Sequence, residues 1–168
     1  MNIPTVAIRR LRADEWRLLR DLRLQALRSD PASFWETETE ARAYDDSYWS
    51  AFAERLATPD GSRFFMLEVD GTIIGTVFGT RKGEHEYRVG GLWIAPPSRR
   101  KGYGSLLVQR VVNWANDDPS AAIRLWCHVG PQTAFYSKNG FHSLGTLRQH
   151  ESDGRQIVEM QWSCAQAG

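Results

Sequence analysis

Cysteine is scarce in this chain. Of 168 residues only Cys127 and Cys164 are cysteine, with no C-x-x-C pair, which excludes a disulfide scaffold and a cysteine-based metal cluster, and no metal is expected. Charge of one sign is missing too: 21 lysines and arginines face 20 aspartates and glutamates, a net charge of +1. No overall field therefore draws the chain to nucleic acid or to an anionic membrane, and any basic site has to be local. Apolar runs long enough to cross a bilayer are absent, and none precedes Arg9 and Arg10. Neither a membrane span nor a secretory signal is expected, and a reducing cytoplasm is the expected compartment. Without repeats, low-complexity segments or linkers, residues 1–168 read as one domain, long enough to bury a substantial core.

What is present is periodicity. Thr5 to Leu11 alternates as a strand, and from Asp14 onward Leu19, Leu22 and Ala26 recur at helical spacing until Pro31 stops the helix near Ser29 and Asp30. Ala32 to Asp45 has no clear period but holds Phe34, Trp35 and Tyr44, and a second helix is predicted from Asp46 to Leu56. Arg63–Val69 and Thr72–Thr80 read as a hairpin about Asp70-Gly71. Tyr87 to Ala95 is the next strand, with Gly90 and Gly91 marking a bulge or a close backbone approach. A helix over Gly102–Asn116, a strand over Ala122–Val129 and a short helix from Gly130-Pro131 through Lys138 follow. Phe141–Leu147 and Gln156–Ser163 pair last. This order predicts an α/β (α+β) fold: a mixed, mostly antiparallel sheet of about six or seven strands flanked by about four helices.

The stretch Leu92-Trp93-Ile94-Ala95-Pro96-Pro97-Ser98-Arg99-Arg100-Lys101-Gly102-Tyr103-Gly104-Ser105 runs from a strand through a basic glycine-rich turn into a helix. The first N–H groups of a helix lack intrahelical partners and carry the positive end of its dipole, so the junction is an anion site. Arg99, Arg100 and Lys101 add charge to it. It is not a P-loop, because Ser105-Leu106 replaces the required Lys-Ser/Thr, nor a dinucleotide fingerprint, because Leu107 stands where a small residue is needed.

The pattern Leu92-x-Ile94-x-Pro96-x-x-Arg99-x-x-Gly102-x-Gly104-x-x-Leu107 resembles the acyl-CoA-binding segment of the GNAT superfamily of CoA-dependent N-acyltransferases. Ala134-Phe135-Tyr136-Ser137-Lys138-Asn139-Gly140-Phe141 resembles that superfamily's later segment at the expected distance. The resemblance implies acetyl-CoA or another acyl-CoA as co-substrate. Backbone groups of Leu92, Trp93 and Ile94 would pair with the pantetheine arm in a cleft between splayed strands, and Arg99 to Ser105, Tyr103 among them, would hold the pyrophosphate. A primary amine of a small molecule or protein would attack the thioester directly, with an oxyanion held near Trp93 or Ile94 and the leaving thiolate meeting Tyr136. Phe34 and Trp35 fall in the family's acceptor segment and are candidates for contact with the acceptor's apolar body, although an aromatic pair in a loop is more often simple packing.

Two positions depart from the family. The carboxylate that serves many members as base falls on Arg88, and the asparagine seven residues before the tyrosine is Val129. Base candidates are then Glu84, His85 and Glu86 before the strand, His128 after the next, or a chain of waters, and either histidine also reads as a structural one. These departures motivate an alternative, a non-catalytic CoA-binding sensor module, while Tyr136 favours the enzyme. Dimers are common in the family, and the terminal hairpin offers an edge for one.

Overall fold

A computed structural model describes residues 2–164. Its seven strands are β1 (Val6–Arg10), β2 (Arg63–Val69), β3 (Thr72–Arg81), β4 (Glu86–Ile94), β5 (Ala122–His128), β6 (Phe141–Gln149) and β7 (Gln156–Trp162). Its five α-helices are α1 (Trp16–Ser29), α2 (Glu38–Ala43), α3 (Asp46–Ala57), α4 (Tyr103–Ala115) and α5 (Pro131–Lys138). The strands form one sheet in the order β1-β2-β3-β4-β5-β7-β6. Every neighbouring pair is antiparallel except β4 and β5, because α4 carries the chain over the sheet between them. The free edge at the hairpin end is β6, with Leu144 and Leu147 exposed.

Both faces of the sheet are covered, and the alternation of β2 shows how. Phe65 and Leu67 point to the face on which α4 lies, where Leu107, Val108, Val111, Val112 and Ala115 are buried. Phe64 and Met66 point to the other face, against Leu19, Leu22, Ala26 and Leu27 of α1 and Trp49, Ala53 and Leu56 of α3. The helical spacing seen in the sequence is therefore the buried stripe of α1. Among the described residues no helix is long and apolar enough to cross a membrane.

The predicted elements are present with ends shifted by a residue or two, and one more appears. Helix α2 lies in the segment that has no clear apolar period. It is started by Thr37 and Glu40, whose groups cap each other: Glu40 N–H donates to Thr37 Oγ1 at 3.2 Å and Thr37 N–H to Glu40 Oε2 at 2.8 Å.

Candidate active site

The bulge expected at the paired glycines is there. Phe78 pairs with Gly90 and Thr76 with Trp93, so β4 carries one residue more than β3 over this stretch. Gly91 takes a left-handed φ of +58°, and a Cβ on it would lie 2.6 Å from the Phe78 ring. On its other side β4 meets β5 only from Glu86 to Arg88, against Ala122 to Arg124. Beyond that the strands part, and the β4 edge from Val89 to Ile94 faces a cleft.

The cleft leads to the start of α4. Arg100 and Gly102 both have left-handed φ, +63° and +82°, which folds the turn back on itself. The first bond into the helix runs from Leu106 N–H to Gly102 O at 3.3 Å. Among the described residues, the N–H groups of Gly102, Tyr103, Gly104 and Ser105 have no backbone acceptor. They line a cavity of about 550 Å³ together with Leu92, Ile94 and, from α5, Phe135 and Lys138. Gly104 eases that approach, since a Cβ there would stand 3.3 Å from the Phe135 ring, tighter than ordinary contact.

Arg99 does not act as a free cation in this cradle. Its Nε donates to Ile94 O at 2.8 Å and its Nη2 to Asp30 Oδ2, which also accepts the Ser29 hydroxyl at 2.6 Å. Trp93 Nε1–H donates to Ser29 Oγ at 2.7 Å. Arg99 thus ties the end of β4 to the end of α1. Arg100 lines the cavity and Lys101 is exposed beside it, and neither has an ion pair among the described residues, so the mobile charge is theirs and that of Lys138.

A second cavity of about 570 Å³ opens beyond the first, with Ser33 and Phe34 lining both. Phe34 is buried, Trp35 half exposed, and His128 at the end of β5 lines the wall. Arg88 lines it as well, its guanidinium held by Glu159 Oε1 at 2.7 Å and Glu86 Oε1 at 3.0 Å. The position of the family's carboxylate therefore holds a committed cation.

His85 and Glu84 stand elsewhere, and the structure does not bring them to the cleft. They sit in the turn before β4, and from Glu86 to Leu92 the strand runs about 20 Å at 3.3 Å per residue. His85 Nδ1 lies 2.8 Å from Asp118 Oδ2, a bond that holds its pKa above the ordinary value, and Glu84 is exposed. Of the expected bases only His128 is in the cavity.

His128 is 92% buried, counting from its 8% exposure, and brings partners the sequence did not reveal. Its Nε2 has no hydrogen-bond partner and lies 3.5 Å from Asp153 Oδ2, and its ring centroid is 5.0 Å from that of buried His150. Burial, then the Arg155 charge, holds His128 below the ordinary histidine pKa, so it is neutral near pH 7. Ser152 N–H points at His150 Nδ1 at 3.3 Å, which makes that nitrogen the acceptor and puts the proton on Nε2. His128, His150 and Asp153 offer ligand atoms within 4.8 Å of one another. Arg155, however, already holds the Asp153 carboxylate, Nε to Oδ2 at 2.7 Å, and opposes a second cation there.

Tyr136 is half-buried as a residue, packed edge-on against Phe135 and Phe141. The surroundings of its hydroxyl are closed enough that burial, aided by the nearby Cys127, pushes its pKa well above the ordinary tyrosine value. It stays protonated, a donor. Val129 is exposed, and the Gln132 carbonyl next to it is used to accept His128 N–H at 3.0 Å.

The sequence profile of the acetyltransferase (GNAT) family matches residues 21–141. No curated protein sequence is significantly similar to the chain. Among solved structures, an acetyltransferase of the GNAT family from Streptococcus pneumoniae superposes with a TM-score of 0.78 at 18% identity, covering 95% of this chain and all of its own. An acetyltransferase from Salmonella typhimurium, solved with its cofactor acetyl-CoA, gives 0.73 at 16% identity, covering 95% of this chain and 94% of its own. Spermidine N-acetyltransferase from Vibrio cholerae, in complex with CoA and spermine, gives 0.71 at 18% identity, covering 93% and 94%.

Proposed function

The chain belongs to the GNAT acetyltransferase family, and from that premise we propose that it transfers acetyl from acetyl-CoA to a primary amine in a single ternary complex, with His128 as base and Tyr136 as donor to the leaving thiolate. The carrying observation is an open strand edge running directly into an unsatisfied helix N-terminus. The Val89–Ile94 edge offers N–H and C=O groups to an amide-bearing chain as a neighbouring strand would, and the N–H groups from Gly102 to Ser105 receive a pyrophosphate. Acetyl-CoA supplies the activated acyl group.

His128 Nδ1 has no protein partner among the described residues, while Asp153 is the acceptor nearest to Nε2. With its proton on Nε2, the ring presents an unprotonated Nδ1 to the cavity and takes the proton of the attacking amine there. As the N–C bond forms and the C–S bond breaks, backbone N–H groups at the Gly91–Trp93 bulge face the developing oxyanion. The Tyr136 hydroxyl then donates to the thiolate. Its raised pKa makes full proton transfer to sulfur uphill, so the hydrogen bond itself is the contribution.

A thiol-release assay with acetyl-CoA and a panel of amines tests this. Tyr136→Phe should lower kcat by about 100-fold or more with CoA affinity little changed, the scale of losing one donor to developing charge. Unchanged turnover removes Tyr136 from the mechanism, and tight CoA binding without turnover of any amine returns the sensor-module reading.

A further inference from the structure

The acceptor cavity is lined by a cation whose terminal donors nothing among the described residues completes. Arg23, on α1, donates its Nε to Glu36 Oε2 at 3.0 Å and lays its guanidinium over the rings of Phe34 and Phe78, at 5.0 and 5.8 Å. Its two terminal nitrogens have no acceptor among the described residues. Nη1 stands 3.7 Å from the position of a Cβ built on Gly91, so the free end of the fork lies against the bulge of β4. The side chain is 15% exposed, and the cavity is what it is exposed to.

The other charges around this cavity point the same way. Its charged lining is Arg23, Lys82 and Arg88, with no carboxylate. The acids nearest by are occupied, Glu36 by Arg23 Nε, Glu159 and Glu86 by Arg88, and Asp153, beside His128, by Arg155, while Lys82 has no ion pair among the described residues. An acceptor carrying further positive charge, such as a polyamine, would find no free carboxylate. A planar guanidinium whose Nη1/Nη2 edge is free fits a carboxylate, which it can bind through two parallel hydrogen bonds. The remaining wall includes Phe34, Trp35, Phe78 and Trp126, apolar surface for the rest of the molecule.

We propose that the acceptor is an amine bearing a carboxylate close to the reacting nitrogen, an amino acid with an apolar or aromatic side chain, and that Arg23 is the residue that selects it by its carboxylate. This rests on the transferase reading above. The Gly91 bulge puts the fork beside the site of attack, so a carboxylate seated on Arg23 leaves an amine one carbon away within reach of the thioester. The fixed charge also places the body of the acceptor toward Trp35 and Trp126.

The test uses L-tryptophan, L-phenylalanine and L-methionine, each beside its carboxamide and its decarboxylated amine, with spermidine as a polycation. Binding is read by calorimetry on the CoA complex, and turnover by thiol release with acetyl-CoA. At least one free acid should exceed its amide about 10- to 100-fold in affinity and in kcat/KM, the scale of a charge-assisted hydrogen-bond pair. In Arg23→Gln that ratio should collapse toward one, and Arg23→Lys should restore part of it, with circular dichroism confirming that both variants are folded. Equal or better use of the amides, the decarboxylated amines or spermidine overturns the inference, as does an Arg23→Gln variant that loses acid and amide in equal proportion. Acid binding that depends on Arg23 but yields no thiol upholds the carboxylate site and refutes the transferase reading instead.

Discussion

Replacing Gly75 by alanine is a sharp probe of how the cofactor cleft is held in shape. Gly75 lies on β3 where α4 crosses the sheet and where β4 ends. A Cβ built there would come within 2.5 Å of Ile94 Cδ1, 3.0 Å of Leu107 Cδ1 and 3.1 Å of the Trp93 carbonyl oxygen. The first is the end of a side chain that can swing aside. The second belongs to a fully buried side chain in the packed core, and the third is backbone. Overpacking of this kind costs about 1–3 kcal/mol, against a gain of about 0.5–1 kcal/mol from removing a strand glycine, so at the centre of these ranges Gly75→Ala should lose about 1.3 kcal/mol. For a domain of this length that is a fall of about 3–5 °C in Tm. Because the shift falls on Trp93 and Ile94, CoA affinity should fall with it. Gly71→Ala is the control: at a φ of +79° it carries backbone strain, but its Cβ would meet nothing within 4 Å and the residue lines neither cavity. It should lose stability without losing CoA affinity. A Gly75→Ala protein that melts at or above the parent temperature, or that binds CoA as tightly, would refute the close packing argued here.

Two further expectations concern protons. His128 must be neutral to accept a proton and its pKa is depressed, so the acid limb of the kcat profile should lie below pH 6.5, with activity lost only as pH falls through it. Using acceptors of different amine basicity separates this limb from the acceptor's own, and an acid limb that survives His128→Asn would assign it to another group. At the far end of β4, His85 should titrate above pH 6.5 by NMR and return toward it in Asp118→Asn. The sign follows from the raised folded value: the contact favours the folded state below the unfolded pKa and fades as pH rises through the folded one. Asp118, held below its ordinary value, contributes above the ordinary carboxylate range and fades as pH falls.

What could be read from the sequence was whatever lies close together in it. Leu19, Leu22 and Ala26 mark the buried stripe of α1, Gly90-Gly91 marks the bulge, and Gly102-x-Gly104 marks the helix start, because each is a local backbone or periodicity requirement. Thr37 and Glu40 form a cap spelled locally as T-x-x-E, while α2 itself is too short to show a period. Other features depend on pairs distant in the chain. Asp30 claims Arg99 from 69 positions away, which no spacing reveals. His85 and His128 are both base candidates in the sequence, with His128 favoured because its strand end should face the cleft, and the direction of β4 carries His85 out of reach. His150 and Asp153 reach His128 because β7 pairs with both β5 and β6, and Arg23 reaches the cavity because α1 crosses the sheet opposite α4.

The short contact between β4 and β5 has a mechanical meaning. Four strands on one side of the cleft and three on the other are joined across the sheet by pairing at only three residues of β4, Glu86 to Arg88. Toward the cleft the sheet has no ladder of its own. A molecule lying along Val89 to Ile94 would bridge the gap and act as a removable strand, so cofactor loading and sheet cohesion become one equilibrium. Saturation at 100 times Kd would then raise the unfolding free energy by about 2.7 kcal/mol, and hydrogen exchange should slow first in the amides that border the seam.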